Sequence, residues 1–225
     1  MPVDAVLLDA GGILVLPDFD HARGQVVSAG LPPPDDETLR RAHYAAVAAM
    51  DASGSEDIPT YRRTYLQVCG ATPEQAADKV RMLSFSAHWT APVPGAVDVL
   101  RDLIASGRRL AIVSNSDGTV ARSLAAAGIC QVGEGAGADV AIVVDSHHVG
   151  AEKPDPALFR LALAELAVPA DRVLHVGDTA RTDVDGALAA GVRPVHFDPY
   201  GFCPDPPGAH LHIAALPELL ALVER

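Results

Sequence analysis

Three short apolar runs, far apart in the chain, each end in residues that carry chemistry. Val6-Leu7-Leu8 closes on Asp9 and then Ala10-Gly11-Gly12. Arg109-Leu110-Ala111-Ile112-Val113 closes on Ser114-Asn115, and Val173-Leu174-His175-Val176 closes on Gly177-Asp178, with Asp183 five residues beyond. Apolar runs of this length, bounded by turn residues, read as buried strands. Between them, Gly150-Ala151-Glu152-Lys153-Pro154-Asp155-Pro156 opens a helix with a proline at its start, where the missing N–H costs nothing. Strands alternating with helices fold as α/β layers around a parallel sheet. Ligands of such open sheets bind outside the carboxyl ends of the strands. One sheet edge would therefore gather Asp9, Ser114, Lys153, Asp178 and Asp183 into a single mouth.

The order Asp, Ser, Lys, Asp-x4-Asp resembles the four motifs of the haloacid dehalogenase-like (HAD) hydrolase superfamily, in its phosphatase/phosphoglucomutase-like branch. Pro92-Val93-Pro94-Gly95 ahead of a helix and Gly186-Ala187-Leu188-Ala189-Ala190-Gly191 after the last aspartates extend the resemblance over nearly the whole chain. Each motif alone is ordinary: a lone Asp or Ser-Asn after a strand is usually a turn former or helix cap. Four in order are far more specific. The resemblance implies a Rossmann-like α/β core with a parallel sheet and an inserted all-α cap that closes over the substrate.

The segment from about Leu16 to Thr90 interrupts the strand–helix alternation. Asp35 or Asp36 is placed to cap a helix through Leu39–Val47. Further helices are expected from Pro59 to Cys69 and, capped by Thr72, from Pro73 to about Phe85. No strand pattern is visible there. The expected organisation is a core of residues 1–15 and 91–225, with a helical cap over residues 16–90. Asp18 and Asp20 read as turn residues where the chain passes into the cap.

Phosphoryl transfer is chiefly a matter of positioning and charge neutralisation. A carboxylate can be the covalent acceptor, splitting one hard displacement into two easier ones, and Asp9 fits that role. Mg²⁺ is expected beside it, because a carboxylate and a phosphate dianion repel. This ion takes oxygen ligands and few of them from protein: the Asp9 and Asp178 carboxylates and the Gly11 carbonyl. Asp183 is expected to orient a metal-bound water or Lys153 rather than bind metal. Ser114 would donate its hydroxyl to a phosphate oxygen, with backbone N–H groups near Gly12 and Asn115 adding donors. Lys153 supplies a compact positive charge.

One position departs from the family pattern. HAD phosphatases usually carry a second Asp two residues after the nucleophile, which protonates the leaving oxygen; here that residue is Gly11. Four readings follow. The first, which we favour, is a Mg²⁺-dependent phosphatase of small phosphorylated metabolites, using another acid or a good leaving group. The main rival is a binding protein that has lost turnover. A carbon–phosphorus hydrolase would need a cap lysine, and Lys79 is the only lysine besides Lys153. A dehalogenase fits less well with the Asp178/Asp183 pair.

Composition bounds the remainder. A net charge of −12 argues against nucleic-acid binding, which needs clustered cations. No apolar run is long enough to span a bilayer. The first strand starts almost at Met1, leaving no room for a signal peptide. Cys69, Cys130 and Cys203 are odd in number and widely spaced, without metal-finger spacing, so a reducing cytoplasm is the simplest setting. His147, His148, His210 and His212 read as structural. Nothing in the sequence reports the oligomeric state.

Overall fold

The computed structural model describes residues 2–54, 57–84, 89–203, 205 and 208–224. In chain order the strands are β1 (Ala5–Leu8), β2 (Val15–Pro17), β3 (Trp89–Pro92), β4 (Arg109–Ser114), β5 (Cys130–Gln131), β6 (Ala138–Asp139), β7 (Val143–Asp145), β8 (Val173–Gly177), β9 (Arg193–Phe197) and β10 (Leu211–Ile213). The helices are α1 (Phe19–Ser28), α2 (Asp36–Ser53), α3 (Ile58–Val68), α4 (Pro73–Lys79), α5 (Ala96–Ala105), α6 (Val120–Ala126), α7 (Ser146–Val149), α8 (Pro156–Leu166), α9 (Asp185–Ala189) and α10 (Glu218–Val223).

Six strands form one sheet in the order β10-β9-β8-β1-β4-β7, and every pair in it is parallel. The expected α/β class with a parallel central sheet is what the chain adopts. β1, β4 and β8 are buried on both faces, which is why they read as unbroken apolar runs, whereas β10 at the sheet's edge is largely exposed. Side chains alternate between the faces. Val6, Leu8, Ile112, Leu174 and Val176 belong to one core cluster, while Ala5, Leu7, Ala111, Val113 and Val173 belong to the opposite one. Leu8 pairs with Ile112 on one side and Val176 on the other. That register brings the chemistry-bearing ends of β1, β4 and β8 to one edge.

Helices α1 to α4 bury a separate apolar cluster that includes Val26, Leu39, Val47, Tyr65 and Leu66. The Asp35 side chain caps α2 by accepting the Thr38 N–H at 2.8 Å. The α4 start carries a reciprocal Thr72/Gln75 capping box. Three details differ from the sequence expectations. Asp18 and Asp20, expected as turn residues, cap and begin a helix outside the sequence expectations, α1 over residues 19–28; the run is polar, with Gly24 inside it, and shows little periodicity. The helix expected to reach Phe85 stops at Lys79 and continues as a single tight turn over Val80–Met82, and Phe85 lies outside the described residues. The segment also has strands at its ends, where β2 pairs antiparallel with β3. Three or four residues with a proline in each are too few for alternation to show. They pair because the chain runs out of the sheet layer and back along neighbouring paths. No helix among the described residues is long and apolar enough to cross a membrane.

Candidate active site

At the shared sheet edge, Lys153 Nζ lies 3.0 Å from Asp9 Oδ1 and 2.7 Å from Asp183 Oδ1. Two elements fix this lysine. Asn115, just past β4, clasps its backbone: the Lys153 N–H donates to Asn115 Oδ1 at 2.7 Å, and Asn115 Nδ2 donates to the Lys153 carbonyl at 3.1 Å. Asp183 holds the ammonium, and is itself held by His175 Nε2 at 2.8 Å and by Thr179 Oγ1 at 2.6 Å. Both Asp183 oxygens are thereby engaged. Carboxylate oxygens of Asp9, Asp178 and Asp183 all lie within 4.8 Å of one another.

The charges do not balance. Burial raises the Asp9 pKa from its ordinary 3.8 to about 6, and the neighbouring carboxylates add to the shift against the opposing Lys153. Burial, with Asp183 nearby, also holds Asp178 well above the usual carboxylate range. Asp183 goes the other way: burial would raise it, but Lys153 and His175 outweigh that and hold it below its ordinary value. For Lys153, burial is likewise overcome by the two carboxylates, which keep the ammonium charged. One buried ammonium thus faces three buried carboxylates.

Helix α2 reaches into this edge. His43 Nε2 is 3.1 Å from Asp178 Oδ2, and His43 Nδ1 is 2.8 Å from the Tyr61 hydroxyl. Burial pushes the His43 pKa down to about 3, so the contact with Asp178 is a hydrogen bond of a neutral imidazole, not an ion pair. One donor and one acceptor nitrogen satisfy both contacts. The next residue, Tyr44, donates to the Gly12 carbonyl at 2.7 Å. Asp51, at the other end of α2, accepts the backbone N–H groups of Ala180 and Arg181 at 2.7 and 3.1 Å.

The edge opens into a cavity of about 430 Å³, lined by Asp9, Gly11, Ser114, Asn115 and Asp178 from the core and by His43, Tyr61, Arg62 and Trp89 from the helical side. Lys153 and Asp183 are buried against Asp9. Gly12 corrects one expectation. Its N–H, read as a phosphate donor, instead donates to the Val15 carbonyl at 2.9 Å. What Gly12 contributes is the lack of a side chain: its φ is +70°, and a Cβ there would overlap the Asp178 carboxylate. Gly12→Ala should cost about 1–3 kcal/mol from the left-handed backbone alone and should displace Asp178. Thermal unfolding and metal titration of the variant would read both losses.

Asp18 and Asp20 lie outside the cavity lining. Asp18 caps α1 by accepting the His21 N–H at 2.8 Å, and exposed Asp20 pairs with Arg23 at 2.6 Å. Lys79 does not line it either. Sequence reasoning passed over His43, Tyr61, Trp89, His175 and Thr179. Only His175 and Thr179 belong to a family motif, His175 within β8 and Thr179 just after Asp178, and they were readable only as strand and turn.

The arrangement matches a known family across most of the chain. A haloacid dehalogenase-like hydrolase model matches residues 3–191. The chain belongs to the haloacid dehalogenase-like hydrolases. Within that family it is 32% identical over 213 residues to a phosphoglycolate phosphatase of Rhodospirillum rubrum, covering 90% of this chain and 82% of that one. A phosphoserine phosphatase of Thermus thermophilus is 33% identical over 147 residues, 65% of this chain and 56% of the relative. The crystal structure of a HAD phosphatase from Thermococcus onnurineus superposes with a TM-score of 0.60 at 20% identity, covering 98% of each chain, a likeness of fold.

Proposed function

We propose that this HAD-family protein is a Mg²⁺-dependent phosphatase of a small phosphorylated metabolite, working through an aspartyl-phosphate on Asp9. The observation that carries the reading is the line Asp9–Lys153–Asp183 at a cavity mouth shared with Asp178. Relatives named as phosphatases support it, as does the size of the cavity, which suits a small molecule rather than a polymer. The net charge of −12 is against nucleic acid as a substrate. The three free cysteines suit a cytoplasmic setting.

The residues fit the metal. Three clustered buried carboxylates with a single ammonium leave negative charge for a cation to offset, and the donors are hard oxygens of the kind Mg²⁺ takes. Asp9, Asp178 and the Gly11 carbonyl would hold it. When bound, it neutralises the repulsion between carboxylate and phosphate. The chain's own groups do the rest. An Asp9 oxygen attacks phosphorus while Lys153, locked by Asp183 and Asn115, offsets charge on both partners. Ser114 Oγ donates to a phosphate oxygen. The leaving oxygen departs without a proton from position 11, and water then cleaves the acyl phosphate to release inorganic phosphate and restore Asp9.

Helices α1 to α4 act as the cap, with residues 16–90 as the inserted unit. Arg62 brings a cation to the cavity from the cap side, where it would meet an anionic group of the substrate. A binding protein without turnover is the second reading, favoured by Gly11 alone. A carbon–phosphorus hydrolase is disfavoured because Lys79 does not line the cavity.

Two measurements test the proposal. A phosphatase screen over metabolites should show turnover that needs Mg²⁺, with aryl phosphates far better than alkyl ones, because a phenolate leaves unaided; no turnover of any substrate would favour the binding protein. Calorimetric Mg²⁺ titration should give binding in the wild type and none in Asp178→Ala. Equal binding by both proteins would remove Asp178 from the metal site.

A further inference from the structure

A second cluster of ligating side chains lies outside the cavity, on the last two strands of the sheet. β9 and β10 run parallel with His196 opposite His212, so both rings stand on one face, with centroids 5.0 Å apart. His210 precedes His212 by two residues and therefore points the same way; the two rings stack at 4.4 Å. The loop after β9 returns a cysteine to the same place. Asp198 accepts the Phe202 and Cys203 N–H groups at 2.8 and 2.9 Å, folding Cys203 back until its Sγ is 3.7 Å from His210 Nε2.

We propose that His196, Cys203, His210 and His212 form a binding site for a divalent transition metal ion, with Zn²⁺ the best match to three nitrogens and one sulfur. Four ligand atoms, one from each residue, lie within 4.8 Å of one another. In a tetrahedral zinc site, the usual bond lengths put neighbouring nitrogens about 3.3 Å apart and nitrogen and sulfur about 3.6 Å apart. His196 Nδ1 and His210 Nε2 are 3.0 Å apart, and His210 Nε2 and Cys203 Sγ 3.7 Å. These two donor pairs already stand near coordination spacing. This mixture of imidazole and thiolate suits zinc, not magnesium.

The outer contacts point the same way, since a metal-bound histidine characteristically offers its other ring nitrogen to a carbonyl or carboxylate. His196 Nε2 donates to the Asp178 carbonyl at 3.1 Å. His210 Nδ1 lies 3.7 Å from Asp205, and His212 Nδ1 lies 3.9 Å from Asp198. His196 thus turns Nε2 to a carbonyl and leaves Nδ1 for the ion, and carboxylates stand near the Nδ1 atoms of the other two rings. Burial holds the Cys203 thiol above its ordinary value, so binding must displace the thiol proton to solvent. His210 and His212, expected from sequence to be structural, become ligands because the parallel register of β9 and β10 brings them to His196 and Cys203, 7 to 16 positions away. The site stands one hydrogen bond from Asp178, so its occupant would brace the end of β8.

Cobalt(II) is the direct probe. Full-length protein stripped with chelator and kept in excess Mg²⁺, which fills the carboxylate site, is titrated with Co²⁺. The expected result is one equivalent bound, with tetrahedral visible bands and a thiolate-to-cobalt band in the near ultraviolet, all bleached by Zn²⁺. Cys203→Ser should lose the thiolate band, and His210→Ala should weaken binding by at least roughly 100-fold. Absence of the thiolate band in folded wild type would overturn the site whatever the variants do, leaving the cluster as stacked, hydrogen-bonded histidines. A band that persists in Cys203→Ser would overturn it too. Neither result depends on phosphatase activity.

Discussion

Asp9→Asn is expected to abolish turnover of alkyl and aryl phosphates alike while leaving the protein folded. The amide is nearly the same shape and its oxygen still accepts from Lys153, which lies 3.0 Å from Asp9 Oδ1. It is a poor nucleophile and a weak metal ligand, so the loss should be on the order of 10⁴-fold or more, as when one member of a covalent catalytic unit is removed. Stability should not follow activity. Folding raises the Asp9 pKa from 3.8 to about 6. As pH rises through that window the folded chain gives up a proton that the unfolded chain has already lost, and stability falls; above about pH 6 the cost is fully present. Asparagine carries no such cost, so the unfolding midpoint at neutral pH should be equal to or above wild type in metal-free buffer. Wild-type turnover surviving in Asp9→Asn would overturn the nucleophile assignment. A collapsed midpoint would mean that Asp9 holds the fold through Lys153.

The middle of the sheet was legible because β1, β4 and β8 are buried on both faces and end in residues that nothing in a core would demand. Val6–Leu8 and Val173–Val176 could be read as strands from runs of three and four residues, and the parallel arrangement followed from the helices between them. Asp9, Lys153 and Asp178 could be named because motif order supplied long-range information that local pattern lacks. The helical side of the cavity could not be read this way. His43 sits in the body of α2 and looks like any helical residue; it faces Asp178 only because α2 docks through Tyr44 on Gly12 and Asp51 on Ala180. Those contacts span 32 to 135 residues, and no local period encodes them. Gly12 was misread for a related reason. Its place in the loop after Asp9 put it among the expected phosphate-binding residues, but the tight turn spends its N–H on the Val15 carbonyl.

Gly11→Asp is where chemistry and packing meet. If the missing acid limits the enzyme, restoring it should accelerate alkyl-phosphate turnover by roughly 10²–10⁴-fold, the usual contribution of a placed proton donor. The space at this position is occupied, however. A Cβ on Gly11 would stand 3.3 Å from Trp89 Cζ3, closer than side chains normally approach, so the indole must give by a few tenths of an ångström and crowds any carboxylate placed there. It would also be a fourth acid beside Asp9, Asp178 and Asp183. The single variant is therefore expected to gain little. Gly11→Asp combined with Trp89→Ala opens the position and should show the acceleration on alkyl phosphates, with much less change on aryl ones; Trp89→Ala alone should show none. Steady-state kcat on a matched alkyl and aryl pair separates these outcomes. Failure of the double variant, with Mg²⁺ binding intact, would mean that proton transfer from this position does not limit the rate. Brisk alkyl turnover by wild type would mean that a proton donor already exists.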